Sequence, residues 1–220
     1  MVESILPYER SLFFLINHSN TTFLDNFMWL ASKTQAWIPL FALLLVLLVR
    51  NKNKREWFAI IVVITLVFVF CDQFSSSVCK PIFTRLRPTH HPDFAEEVRT
   101  LFNYRGGKYG FISSHASNAF GFATISALLF KKRCYTIAIF TIAFIISYSR
   151  VYLGVHFISD VVTGALSGVV IGSLMYQAYK LYVVRTKEGT RRILTPQNVN
   201  VFVIIIISYI FSLMVYSSVL

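Results

Sequence analysis

Ser149-Arg150-Val151-Tyr152-Leu153-Gly154-Val155-His156-Phe157-Ile158-Ser159-Asp160 separates two long apolar runs. A guanidinium, an imidazole and a carboxylate are expensive to hold at the edge of a hydrocarbon layer. Each therefore needs a partner, and each is a candidate functional group. On a helix, His156 and Asp160 would share one face, being four residues apart. The spacing suits a carboxylate that holds one ring nitrogen and leaves the other free to attack a phosphoryl group. Arg150 adds a planar fork of donors matched to phosphate oxygens.

Outward from this stretch the chain is apolar. It has 220 residues, of which 55% are hydrophobic and 14% charged, and its mean hydropathy is +0.61. This predicts a polytopic membrane protein in which one helical bundle, a single domain over residues 1–220, uses the whole length. The net charge of +11 does not point to nucleic acid, because the cations cluster in short loops between apolar runs. Anionic headgroups and phosphorylated lipids are the expected partners, and no obligate protein partner is inferred. Cys71, Cys79 and Cys134 form no disulfide framework and read as packing residues. No cleavable signal precedes Leu12–Ile16, which is too short for one.

A bilayer core of about 30 Å takes roughly 20 apolar residues per helix. Six stretches are expected to cross: 27–49, 57–79, 114–130, the short 135–148, 158–182 and 199–219. Gly164, Gly168 and Gly172 recur every fourth residue, a small-residue row suited to close packing within the bundle. Twelve of the 21 basic residues fall in loops on one side if the six spans alternate: Arg50, Lys52, Lys54 and Arg55; Lys131, Lys132 and Arg133; Lys180, Arg185, Lys187, Arg191 and Arg192. That side is then cytoplasmic, and the 80–113 and 149–157 connections face outward. Residues 1–24 carry an apolar stripe (Ile5, Leu6, Leu12, Phe13, Leu15, Ile16) that fits either an interfacial helix or a packed terminal one. The outer segment 81–112, rich in Pro and Gly, reads as loop with short helical pieces.

Three clusters fall on the outward side: Lys80-x6-Arg87-Pro88, Ile112-Ser113-Ser114-His115, and Ser149-Arg150-x5-His156-x3-Asp160. Together they resemble the tripartite signature of the type 2 phosphatidic acid phosphatase superfamily, which includes vanadium haloperoxidases and bacterial acid phosphatases. The first and third match every fixed position of the family pattern. In the second, Ile112 stands for proline and Ser114 for glycine. The resemblance implies that His156 is the nucleophile and forms a phosphohistidine, that His115 protonates the leaving oxygen, and that Asp160 orients His156. Lys80, Arg87, Arg150, Ser113 and Ser114 would grip the phosphate, by side chain or by N–H groups at a helix start. No metal or other cofactor is implied, since the basic residues take the part of Mg²⁺. Ser114 is strained if its position needs φ > 0; otherwise its hydroxyl adds a donor, the reading adopted here.

Asp72, about two helical turns before Lys80, is a candidate to orient a basic residue of the site, or belongs to a polar network without catalytic effect. Arg85, Arg99, Arg105 and Lys108 read as solvated loop or headgroup cations, and the adjacent His90 and His91 lack the spacing of a metal site. The expectation is a lipid phosphatase at the outer face of a bacterial inner membrane. Undecaprenyl diphosphate is the favoured substrate, and lipid A (at its 1-phosphate), phosphatidylglycerol phosphate and phosphatidic acid are the alternatives. A non-catalytic anionic-lipid binder or a transporter is the rival of another class. With His156 neutral and His115 protonated, the rate should be bell-shaped around the histidine range.

Overall fold

The computed structural model describes residues 2–49, 54–185 and 196–219. Arg50, Lys52, Lys187, Arg191 and Arg192, five of the loop cations used above for orientation, lie outside them. The described residues form helices and no named strand: α1 (Leu6–Asn17), α2 (Thr22–Ser32), α3 (Thr34–Val49), α4 (Lys54–Gln73), α5 (Lys80–Phe83), α6 (Ser114–Phe130), α7 (Arg133–Tyr152), α8 (Ile158–Arg185) and α9 (Pro196–Val219).

α6 sits at the centre, packed chiefly on α8 and also on α7 and α4. The Gly164, Gly168 and Gly172 row is the reason. A Cβ on Gly168 would lie 2.2 Å from the Ser117 carbonyl oxygen, and on Gly164 or Gly172 it would meet the carbonyls of Ser113 or Gly121 at 2.6 or 2.7 Å. The two helices thus touch backbone to backbone. On the opposite side of α8, Val162, Leu166, Val170 and Leu174 are all more than half exposed. Such a row would be a liability in water and is the expected surface of a helix bathed in lipid. The protein is an all-helical integral membrane protein.

Several helix boundaries differ from expectation. Among the described residues, three helices are long and apolar enough to cross a bilayer: the continuous rod Lys54–Phe83, Arg133–Tyr152 and Ile158–Val183. The expected first span is broken into α2 and α3, which meet at 58° and together make a fourth. The break falls at Ser32-Lys33-Thr34, where Lys33 leaves helical backbone angles. Six crossings are therefore not reached by length and apolarity among the described residues, since α6 has 17 residues. α7 is longer than expected and carries Arg150 in its last turn. The N-terminal stripe splits. Glu9, Phe13 and Asn17, one turn apart, are buried on the protein, while Tyr8, Leu12 and Leu15 point outward.

Candidate active site

The turn joining α7 to α8 presents the first histidine. Leu153 N–H bonds back to Ser149 O, and Gly154 N–H to Val151 O, at 2.9 Å each. Gly154 takes φ +71°, the left-handed end of a helix that glycine enters without strain. His156 therefore precedes α8 rather than riding on it. Asp160 lies in the first turn of α8, and its Oδ2 accepts the Phe157 N–H at 3.0 Å. The helix N-terminus suits this carboxylate. Oδ2 is also 3.4 Å from His156 Nδ1, so Nε2 is the ring nitrogen left to act. Gly110 makes room: a Cβ there would lie 2.9 Å from Asp160 Oδ2.

Asp160 Oδ1 is held by a residue expected in solvent. Arg85 is fully enclosed, and its guanidinium bonds Asp160 at 2.8 Å and Glu9 at 2.5 Å. It also donates to Ser159 Oγ at 2.6 Å and rests 4.3 Å from the centroid of the Phe157 ring. Arg99 corrects the same expectation: it pairs with Asp25, which accepts the Tyr152 hydroxyl at 2.6 Å. Arg105 and Lys108 are exposed. Among the neighbouring histidines, His91 stacks on Phe94 with ring centroids 4.1 Å apart, and His90 Nδ1 meets the Thr89 hydroxyl at 3.1 Å.

Lys80, Arg87, Ser114, His115, Arg150 and His156 line one cavity of about 420 Å³, which extends between Phe41, Phe68 and Ile146 into the bundle. Arg87 is fixed by Tyr109 O at 3.1 Å and Val155 O at 3.3 Å. Burial, and then the charge of Arg150, bring its pKa down to about 10, so it remains a cation at neutral pH. Arg150 donates to Tyr104 Oη at 3.1 Å and to Ser32 Oγ, so the break between α2 and α3 anchors a site cation. Burial, then Arg87, Arg150 and Lys80, hold the His156 imidazolium well below the ordinary histidine range. A smaller chamber of about 190 Å³ shares Ser32, Thr34, Tyr104, His115 and Arg150 with this cavity and is otherwise lined by Trp29, Lys33 and Gln35.

The second cluster lies at the start of α6. Ser114 opens α6 with ordinary helical geometry, so replacing glycine brings no strain. Its hydroxyl accepts from Lys80 Nζ at 2.9 Å, and Ser76 accepts from the same amine at 3.2 Å. A π-helical turn, Phe74–Cys79, precedes Lys80 and re-aims the helix there. Ser113 is fully buried; its Oγ caps α6 at Ala116 N–H (3.4 Å) and its own N–H is committed to the Asp160 carbonyl at 3.0 Å. Ser113 thus has a scaffolding role at the start of α6, while its hydroxyl proton is not used by that cap. Asp72 lines the same cavity.

Sequence reasoning missed Glu9, Arg85, Gly110, Ser76 and Tyr104. Glu9 carried a readable signal, a carboxylate one turn from Phe13 and two from Asn17 on a single helical face.

Comparison with known proteins gives a consistent picture. A sequence profile of the PAP2 superfamily matches residues 57–183. A lipid A 4'-phosphatase of Porphyromonas gingivalis is 40% identical over 178 residues, covering 81% of this chain and 75% of that protein. An undecaprenyl-diphosphatase of Sulfolobus acidocaldarius is 28% identical over 181 residues, covering 80% of each. The crystal structure of a transmembrane PAP2-type phosphatidylglycerolphosphate phosphatase from Bacillus subtilis superposes with TM-score 0.62 at 20% identity, covering 85% of this chain and 90% of that one. This last match is a likeness of fold.

Proposed function

From the premise that this chain belongs to the PAP2 superfamily and is a lipid phosphatase, we propose that it removes a phosphate ester from a saccharide-bearing lipid of the lipid A type. The observation that carries the chemistry is the convergence of Lys80, Arg87, Arg150, His115 and His156, from three separate segments, on one cavity. The three cations neutralise the phosphate oxygens, which is most of what phosphoryl transfer requires of a protein. His156 Nε2 attacks phosphorus, and Asp160 steadies the Nδ1 side of the ring. As the P–O bond breaks, His115 gives its proton to the departing alkoxide. His115 then takes a proton from water, whose oxygen attacks the phosphohistidine, and inorganic phosphate leaves with His156 restored.

The saccharide reading replaces the expectation of undecaprenyl diphosphate. It draws on the relative named for lipid A 4'-phosphate at 40% identity, against 28% for the polyprenyl one. A physical reason supports it. His115, the acid in this reading, lines both the main cavity and the chamber beside it, and that chamber offers Lys33 and Gln35. Those groups suit hydroxyls and amides and have nothing to bond on a prenyl chain. Purified enzyme, with chelator present, is expected to release phosphate from a lipid A 4'-phosphate faster than from undecaprenyl diphosphate or phosphatidic acid. Gln35→Ala should lower kcat/KM roughly tenfold for the saccharide substrate alone, the value of one lost hydrogen bond. Equal rates across the panel would contradict the substrate assignment.

Lys131, Lys132 and Arg133 sit at the end of α6 away from His115, and Lys54 and Arg55 at the end of the 54–83 rod away from Lys80. With α6 and α9 counted as crossings, the positive-inside rule supports a reading in which the catalytic end faces outward.

The depressed pKa of His156 also shifts the expected pH profile. A nucleophile that stays neutral loses activity only once pH falls below its lowered pKa. After correction for substrate phosphate, whose second pKa is about 6, the acid limb of kcat/KM should lie below the ordinary histidine value of 6.5. A limb centred at or above that value would contradict the assignment.

A further inference from the structure

We infer that Glu9, on the N-terminal helix, is a positioning residue for this reaction: through Arg85 it holds the Asp160 carboxylate against His156. This rests on the functional reading above.

The contacts form one enclosed chain. Glu9 Oε1 accepts from Arg85 at 2.5 Å and from the Ser159 hydroxyl at 2.9 Å, and Oε2 accepts the Ser159 N–H at 2.8 Å. The Ser159 N–H is one of the amides that a helix start leaves without an intrahelical partner, so Glu9 caps α8 from outside as well as pairing Arg85. Arg85 in turn pins Asp160 Oδ1 while the Phe157 N–H pins Oδ2. With both oxygens tied, the carboxylate cannot rotate away from the imidazole. Arg85 and Asp160 have no exposed side-chain surface, and Glu9 keeps 8%. A desolvated ion network of this kind is weak support for stability in itself, yet this one ends on the residue that faces His156. α1 lies outside the 57–183 stretch of the family match and outside all three motifs, so the motif pattern does not account for it.

The test is Glu9→Gln, which keeps the size of the side chain and removes its charge. kcat should fall about 10- to 100-fold, the scale of a small misplacement of a reacting group. KM and the inhibition constant of inorganic phosphate should stay within about twofold, because Lys80, Arg87 and Arg150 are untouched, and Glu9→Asp should recover part of kcat. In an Asp160→Asn background the Glu9→Gln change should add less than about twofold, since it acts through the group already lost. A Glu9→Gln enzyme with kcat within twofold of wild type overturns the inference. So does a loss that multiplies with Asp160→Asn, or a parallel rise of KM and the phosphate constant that marks general damage. Turnover indifferent to Asp160→Asn overturns the functional reading and this one together. Sensitivity to Asp160→Asn with indifference to Glu9→Gln overturns this one alone.

Discussion

His156→Ala is expected to reduce turnover by roughly 10⁴- to 10⁶-fold, the scale seen when a nucleophile that works as part of a unit is removed. The remaining cations still bind phosphate, so the variant should retain inhibition by inorganic phosphate while losing catalysis. It should also fail to acquire label from a phosphorus-labelled lipid after an acid-sparing quench, whereas wild-type protein is labelled on one histidine. His156 is almost wholly buried, and truncation leaves a hole, so turnover is to be compared per folded molecule. Residual activity above about 1% of wild type would exclude the nucleophile assignment, since the other terms of catalysis do not replace covalent attack.

Arg85→Met is expected to cost about 3–5 kcal/mol of stability, because it leaves buried carboxylates facing one another without their cation. The partners are Glu9 at 2.5 Å and Asp160 at 2.8 Å. Removing all the charges together tests the cause. Adding Glu9→Gln and Asp160→Asn to Arg85→Met should recover most of the lost stability, since replacing a whole buried network by neutral groups is often close to neutral. Activity should not return, because Asp160 is gone. The midpoint of detergent-driven unfolding, read alongside turnover, separates the two effects. A single Arg85→Met variant as stable as wild type would mean that the carboxylates relax to solvent, and the enclosure described here would be wrong.

That the three motif clusters belong together was visible in the sequence through their likeness to the tripartite signature, and they do line one cavity. Lys80 and Arg87, Ser113 to His115, and Arg150 to Asp160 are each short runs whose geometry is set by one turn or helix start. Glu9 could be read as an acid on a buried helical face, but its pairing with Arg85 could not, because that contact spans 76 positions in the chain. Local reasoning sees only another loop cation in 81–112 and one acid in an apolar stripe. The break between α2 and α3 was signalled by Ser32-Lys33-Thr34 inside an apolar run, which hydropathy averaging smoothed over. α7 was read as short because Ser147, Ser149 and Arg150 look like a helix end. They stay helical because each is buried against the protein, where Ser149 donates to Ile146 O and Arg150 reaches Ser32 and Tyr104.

The glycine row of α8 has a further consequence. Since α6 and α8 meet through main-chain atoms, the span between the helix start that bears His115 and the one that bears Asp160 acts as a fixed gauge, independent of neighbouring side-chain size. Phe41 on α3 and Ile146 on α7 also line the cavity but lie outside that main-chain seam. Exchanging either for a larger or smaller side chain would alter the room left for a ligand while the gauge between the two helix starts stays the same.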